Sequence, residues 1–297
     1  MKEAKTSDLF LLTLLAVIWG SSFFNIKIAT YSYEPFTLAL IRVIFASLPL
    51  IGLCFIRNIK IQAFSKNWKI YALVGLCNIT IPFSLIAIGT AKVDSYLAAI
   101  LMSTTPITGS ILAHFFTQDE KITFFKTIGI LVGFLGVLFL FSDDLIINET
   151  NYLYAITILI GSTFYSISGI VILKKLKKSG NMNVTTSTII WSVIFLIPLS
   201  FILEDPLNSN PTTESTLSLI YLGVVATGIA WWLRFKILAR NGLVFQTQVA
   251  YLIPIFGVIF GSLILNEQIT WKVIASLIII IFGIYIVKKN NKGYKKY

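Results

Sequence analysis

The sequence predicts an all-α integral membrane protein of ten transmembrane helices, arranged as two five-helix repeats of opposite orientation. Three observations lead there: a composition suited to lipid, basic residues that alternate between two sides, and a second half that repeats the first. Of 297 residues, 56% are hydrophobic and 12% charged, with a mean hydropathy of +0.85. A soluble domain carries about 25% charged residues. At roughly 20 residues per span, this length holds about ten helices and no sizeable soluble domain. The 23 Phe and 6 Trp suit lipid-facing surfaces and interfacial belts.

The apolar windows fall at 9–28, 35–56, 69–90, 95–116, 123–142, 151–173, 185–203, 215–236, 243–265 and 270–287. They must be helices, because unsatisfied backbone groups are costly in lipid and the runs are too long and unalternating for barrel strands. The start of the chain, Lys2 to Ser22, has the look of a signal peptide. Its apolar stretch continues through Phe23, Phe24 and Ile26, so a retained first helix is expected. Cys54 and Cys77 lie within apolar runs without a partner motif and read as free buried thiols.

Orientation follows from the cations. Twenty of the 24 Lys and Arg fall on one side: at the N-terminus, around Arg57–Lys69, at Lys121 and Lys126, at Lys174–Lys178, at Arg234–Arg240 and at the C-terminus. Lys27, Lys92 and Lys272 fall on the other side, and Arg42 lies within the second span. This asymmetry predicts cytoplasmic termini of a multi-pass protein in the cell membrane, and the Lys- and Ile-rich composition fits a bacterial inner membrane. The net charge of +11 therefore reads as loops attracted to anionic membrane lipids rather than as a nucleic-acid surface.

The repeat appears when Pro106 is aligned with Pro254. Gly109 then meets Gly257, Ala113 meets Gly261 and, after one residue of slip, Glu120-Lys121-Ile122-Thr123 meets Glu267-Gln268-Ile269-Thr270. Trp19-Gly20-Ser21-Ser22-Phe23 resembles Ile160-Gly161-Ser162-Thr163-Phe164 in the same way, and Pro49-Leu50 resembles Pro198-Leu199. The halves are thus 1–148 and 149–297. Because five is odd, the copies must insert with opposite orientation, which is a plan used for alternating access.

Candidate site residues are those that are polar, aromatic, charged or helix-breaking at bilayer depth. Pro106 and Pro254 each remove a backbone donor from equivalent helices, and paired interruptions of this kind point to a midplane site. Thr104, Thr105, Gln246, Gln248 and Tyr251 lie beside them. The competing reading is a packing kink with hydroxyls bonded back to the helix. Trp19, Ser22 and Phe23 in the first span, with Ser162 and Tyr165 in the sixth, suit a wall that binds an apolar or aromatic group, or simply close helix packing. Asn78, Thr80, Pro82 and Phe83 in the third span form a similar symmetric set with Thr227, Trp231 and Trp232 in the eighth. Arg42 is the costliest residue in the membrane; it holds a substrate carboxylate or ties the second helix to its neighbours.

No carboxylate is expected at mid-membrane, which disfavours tight proton coupling. No metal-ligand cluster, phosphate loop or catalytic constellation is present, so no metal, no cofactor and no enzyme activity is expected. Gly129-x-x-x-Gly133 and Gly257-x-x-x-Gly261 permit close helix contacts, including a homodimer.

Taken together, Trp19-Gly20-Ser21-Ser22-Phe23, Arg42-Val43-Ile44-Phe45-Ala46 and the two proline-to-glutamate stretches resemble the EamA-type members of the drug/metabolite transporter superfamily over residues 8–288. One departure is Asn266 before Glu267, and Gln118-Asp119 before Glu120, where many relatives carry Gly. The resemblance implies a ten-helix bundle around a central cavity lined by the first, third, fourth, sixth, eighth and ninth helices. It also implies movement of a small-molecule substrate such as an amino acid, another metabolite or a drug, often outward. A lipid-carrier flippase or nucleotide-sugar carrier is the alternative within transport, and a membrane sensor or scaffold the alternative outside it.

Overall fold

The computed structural model describes residues 6–116, 123–140, 149–176, 180–234, 236–237 and 249–289, which form helices joined by loops and contain no strand. In chain order the helices are α1 (Thr6–Ala29), α2 (Pro35–Ile56), α3 (Trp68–Lys92), α4 (Ser95–Phe116) and α5 (Phe124–Leu140). The second half contributes α6 (Glu149–Lys175), α7 (Asn181–Leu203), α8 (Thr213–Arg234), α9 (Val249–Leu265) and α10 (Trp271–Lys289). Among the described residues, α1–α4 and α6–α8 contain seven stretches long and apolar enough to cross a membrane. The apolar runs of α5, α9 and α10 are shorter. Each expected window coincides with a helix among the described residues; 141–142, 235 and 243–248 lie outside them. α7 starts four residues earlier than expected, at Asn181, because its polar first turn is buried: Asn183 donates to Gln62 Oε1 and to Tyr71 Oη, both at 3.1 Å.

The packing repeats when five is added to each helix number. α1 packs on α9 as α6 packs on α4, α3 on α6 as α8 on α1, and α2 on α8 as α7 on α3. The pairs α2–α7, α4–α9 and α5–α10 are their own counterparts. The outcome is a bundle with α5 and α10 paired at one edge and α2 and α7 at the other. α1, α3, α4, α6, α8 and α9 lie between them. The outer face of the α5–α10 pair, including Leu131, Leu135, Ile278 and Phe282, is exposed and apolar, as a surface solvated by lipid should be.

Small residues set the crossings. A Cβ at Gly283 of α10 would lie 2.5 Å from the Gly133 nitrogen and 2.7 Å from the Gly129 oxygen of α5. The Gly129-x-x-x-Gly133 pattern is therefore used inside the chain, to bring α5 and α10 together. Gly257 of α9 lies against Ala99 of α4 and close to Gly20 of α1, a three-helix crossing that any larger side chain would force apart. Gly75 and Gly223 sit at equivalent points of α3 and α8 and admit the backbones of α7 and α2.

Three of these helices are irregular. In α3, Leu76–Thr80 is π-helical, and the Ile81 N–H bonds back five residues to the Leu76 oxygen. Pro82 follows directly, and a proline that cannot donate favours such a widened turn. In α8, Tyr221–Ile229 is π-helical, with the Thr227 hydroxyl donating to the Leu222 oxygen at 2.8 Å. The two widened turns occupy matching positions in the two halves. α4 breaks between Met102 and Thr105, where Pro106 cannot donate to Met102.

Candidate functional site

At the break in α4 three consecutive hydroxyls bond back to the carbonyls three residues before them. Ser103 Oγ donates to the Ile100 oxygen (2.6 Å), Thr104 Oγ1 to the Leu101 oxygen (2.6 Å) and Thr105 Oγ1 to the Met102 oxygen (2.5 Å). The Ile100 and Leu101 oxygens also accept from Ser103 N and Thr104 N at 3.1 Å, so a hydroxyl stands in for a missing amide donor only at Met102, where Pro106 has no N–H to give. Thr104 and Thr105 thus use their protons on the backbone and keep acceptor capacity only. The seam between α4 and α6 is polar in the next turn as well. Ser166 Oγ donates to the Thr105 oxygen at 3.2 Å and lies 3.0 Å from Thr108 Oγ1. Its symmetry counterpart, between α9 and α1, is aromatic instead. Phe24, Phe256 and Phe260 stack along it, with ring centroids 5.6 and 6.3 Å apart.

Ser162 of α6 is fully buried and its hydroxyl has no hydrogen-bond partner. Tyr165 supplies its backbone oxygen to Ser168 Oγ at 2.6 Å. Ser168 Oγ also lies 2.9 Å from Asn78 Oδ1, at the π-helical turn of α3. Asn78 and the start of that turn are therefore tied to α6 by a buried polar contact. On the other side of the bundle Trp19 Nε1 donates to the Ala226 oxygen within the π-helical turn of α8 (3.2 Å), and Ser21 Oγ lies 2.6 Å from Tyr221 Oη. Both widened turns are thus engaged by side chains of the first helix of the opposite half. Ser22 donates to the Ile18 oxygen at 3.1 Å, and Phe23 is buried with Ala98, Ala99 and Leu101; neither is free to line an open wall here.

Arg42 crosses from α2 into the space between α3 and α8. It is only 7% exposed. Its Nε donates to Thr227 Oγ1 at 3.1 Å, and its guanidinium carbon lies 4.1 Å from the centre of the Phe83 ring. No described carboxylate pairs with it.

Trp231 lies one turn from Arg234, whose guanidinium sits 5.0 Å over the indole, so this aromatic belongs to the basic end of α8 rather than to the Arg42–Phe83 group. Pro254 is buried within α9, which continues through it. Among the described residues only the first of the two prolines thus interrupts its helix. Gln246 and Gln248 lie outside the described residues, as do the side chains of Pro106 and Tyr251.

Sequence reasoning grouped Thr227 with Asn78 and Phe83, but it missed Ser166, Ser168 and Tyr221, which carry further cross-helix bonds of these groups. It also missed the capping role of two carboxylates at one end of the bundle. Glu204, following α7, accepts from Phe36 N (2.8 Å), Thr37 N (2.6 Å) and Thr37 Oγ1 (2.7 Å) and so caps α2. Glu267, following α9, accepts from Ser95 N (2.6 Å), Ser95 Oγ (3.0 Å) and Tyr96 N (3.2 Å) and caps α4. Asn266 prepares the second cap. Its φ of 55° is left-handed, a conformation natural to Gly and tolerated by Asn, and the Glu267 N–H reaches back to the Gly261 oxygen at 3.2 Å. A signal existed, since Gly is the usual residue there and Asn is its commonest substitute. Lys27 at the end of α1 donates to the Ala91 and Val93 oxygens at 3.2 and 2.9 Å, closing the C-terminus of α3 at the same end.

Known proteins share this organisation. The chain is 24% identical over 272 residues to the uncharacterized transporter YoaV of Bacillus subtilis, covering 91% of this chain and 93% of that protein. It is 28% identical to an uncharacterized transporter of Archaeoglobus fulgidus, over 94% of this chain and 98% of the relative. A WAT1-related chloroplastic protein of Arabidopsis thaliana, At3g02690, is 22% identical over 91% of this chain and 66% of its own length. A solved crystal structure with 12% identity superposes with a TM-score of 0.71 over 97% of this chain and all of that one, which supports the fold. The profile of the EamA-like transporter family matches both halves, at residues 6–142 and 152–288. This chain belongs to the EamA-like transporter family of the drug/metabolite transporter superfamily.

Proposed function

We propose that this transporter carries small amphipathic metabolites, amino acids or aromatic compounds above all, out of the cell by alternating access between two halves of opposite orientation. The observation that carries the reading is the contrast between symmetry-related seams. The α4–α6 seam is lined by Thr105, Thr108 and Ser166, and the α1–α9 seam by Phe24, Phe256 and Phe260. A solute held between the halves would meet hydroxyls on one side and rings on the other, which suits a polar head on an apolar body. The break in α4 and the widened turns in α3 and α8 supply points at which helices between the halves can bend. The positive-inside asymmetry supports cytoplasmic termini in the cell membrane. Glu204, Glu267 and Lys27 then lie at the external end, where their caps hold that end closed. Flux of radiolabelled amino acids and aromatic metabolites into proteoliposomes tests the reading: saturable uptake supports it, and absence of flux for the whole panel from folded protein removes it.

A further inference from the structure

We propose that Arg42 is an anion-recognition site, and that the substrate is a monovalent carboxylate attached to an apolar body. The proposal rests on the carrier reading above and narrows it to one chemical class.

Arg42 is more than nine-tenths buried inside a membrane protein, where an uncompensated charge is expensive. A buried structural arginine answers that cost with a carboxylate, or with several carbonyl acceptors around its five donors. Here one donor, Nε, is used, and its acceptor is the neutral hydroxyl of Thr227. The remaining contact is the face of Phe83 at 4.1 Å, which holds the guanidinium in place without neutralising it. Neither the hydroxyl nor the ring removes the charge, so one positive charge at this position is left unanswered by the described residues.

Neighbouring groups extend the site. Thr80 and Ser84, on the same stretch of α3 as Phe83, are buried, and their hydroxyls have no hydrogen-bond partner. Spacings of three and four residues place Thr80, Phe83 and Ser84 on adjoining parts of one helix face. Buried hydroxyls without partners are uncommon in a finished core and fit a site that a polar ligand completes. The surroundings also fix the class. A single guanidinium matches one carboxylate bidentately. A diphosphate would need further cations, and the next arginine along α8, Arg234, already lies over Trp231 at the basic end. Phe83 beside the charge supplies a surface for the apolar part of the same molecule.

Arg42 is reached from α2 and touches both α3 and α8 beside their widened turns. An anion bound there would draw on groups from both halves of the chain, since Phe83 belongs to the first and Thr227 to the second. Binding would therefore be coupled to how the halves sit.

The test uses the full chain in lipid nanodiscs and two isosteric pairs: phenylacetate against phenylacetamide, and L-phenylalanine against L-phenylalaninamide. Affinity is read from ligand-induced shifts in Tm and from competition binding. The acids are expected to bind at least about ten-fold more tightly than their amides. The first pair isolates a monoanion and the second a zwitterion, so the tighter acid identifies which source of the carboxylate the site prefers. In Arg42→Met the preference for the acids is expected to vanish while the protein stays folded, because removing an unpaired buried charge does not destabilise. Arg42→Lys is expected to retain a preference for the acids. Equal affinity of acid and amide for the unaltered protein would overturn the anion site and leave the carrier reading standing. Failure of all four probes to bind would overturn the proposed substrate class, while the carrier reading is judged by flux of the wider panel.

Discussion

Replacing Glu267 with Ala should open the N-terminal end of α4 locally. The carboxylate accepts three hydrogen bonds, from Ser95 N, Ser95 Oγ and Tyr96 N, at 2.6, 3.0 and 3.2 Å. Two of these N–H groups belong to the first turn of the helix, which has no donors' partners of its own. Loss of an N-terminal cap costs about 0.5–2 kcal/mol, and the charge on the acceptor raises the value of each bond. Glu267 is partly exposed, which pulls the total back through solvent screening. The sum is about 2 kcal/mol, equivalent to roughly a 30-fold change in an opening equilibrium. Hydrogen–deuterium exchange of peptides covering residues 94–102 reads this directly. Exchange there is expected to rise by that order in Glu267→Ala, with α2, α7 and the α5–α10 pair unchanged. Glu267→Gln, which keeps one acceptor oxygen, should fall between. Unaltered exchange in this segment would refute the cap, and a rise spread evenly over the bundle would show that Glu267 supports the whole fold rather than one helix end.

Other outcomes follow from the packing. Gly283→Leu should separate α5 from α10 and lower Tm, at a cost of about 1–3 kcal/mol or more, whereas Gly52→Leu, with open space around it, should leave Tm unchanged; a thermal melt in detergent compares the two. Thr105→Val removes the donor to the Met102 oxygen and should cost about 1 kcal/mol, with Thr105→Ser restoring most of it in the same melt. A reporter enzyme active only in the cytoplasm, fused after Tyr297, should be active if the termini face inward, and an alternative reporter active only outside should be silent.

The helical architecture was legible because lipid leaves the backbone few options, so hydropathy and charge alternation reported it with little ambiguity. The break before Pro106 was legible for a related reason: proline has a local and predictable effect. What lay beyond reach were contacts between distant segments. Arg42 stood out as costly, but Thr227 is 185 residues away, and nothing in either segment marks the pair. The same holds for Glu267 and Ser95, separated by 172 residues. The π-helical turns escaped because one extra residue in a turn does not alter an apolar window, although Pro82 hinted at the first. Thr104 and Thr105 stood as substrate-orienting candidates with back-bonded hydroxyls as the competing reading, and both do bond back, to the Leu101 and Met102 oxygens. The Gly129–Gly133 pattern announced a close helix contact without naming α10 as the partner.

A carrier whose two halves expose one site alternately is tested most directly by counterflow in proteoliposomes. Vesicles preloaded with an unlabelled aromatic carboxylate or amino acid should transiently concentrate the labelled compound above its equilibrium level. Saturation should appear as the external concentration rises. Flux that is linear in concentration, with no overshoot on preloading, would contradict alternating access and identify a pore instead.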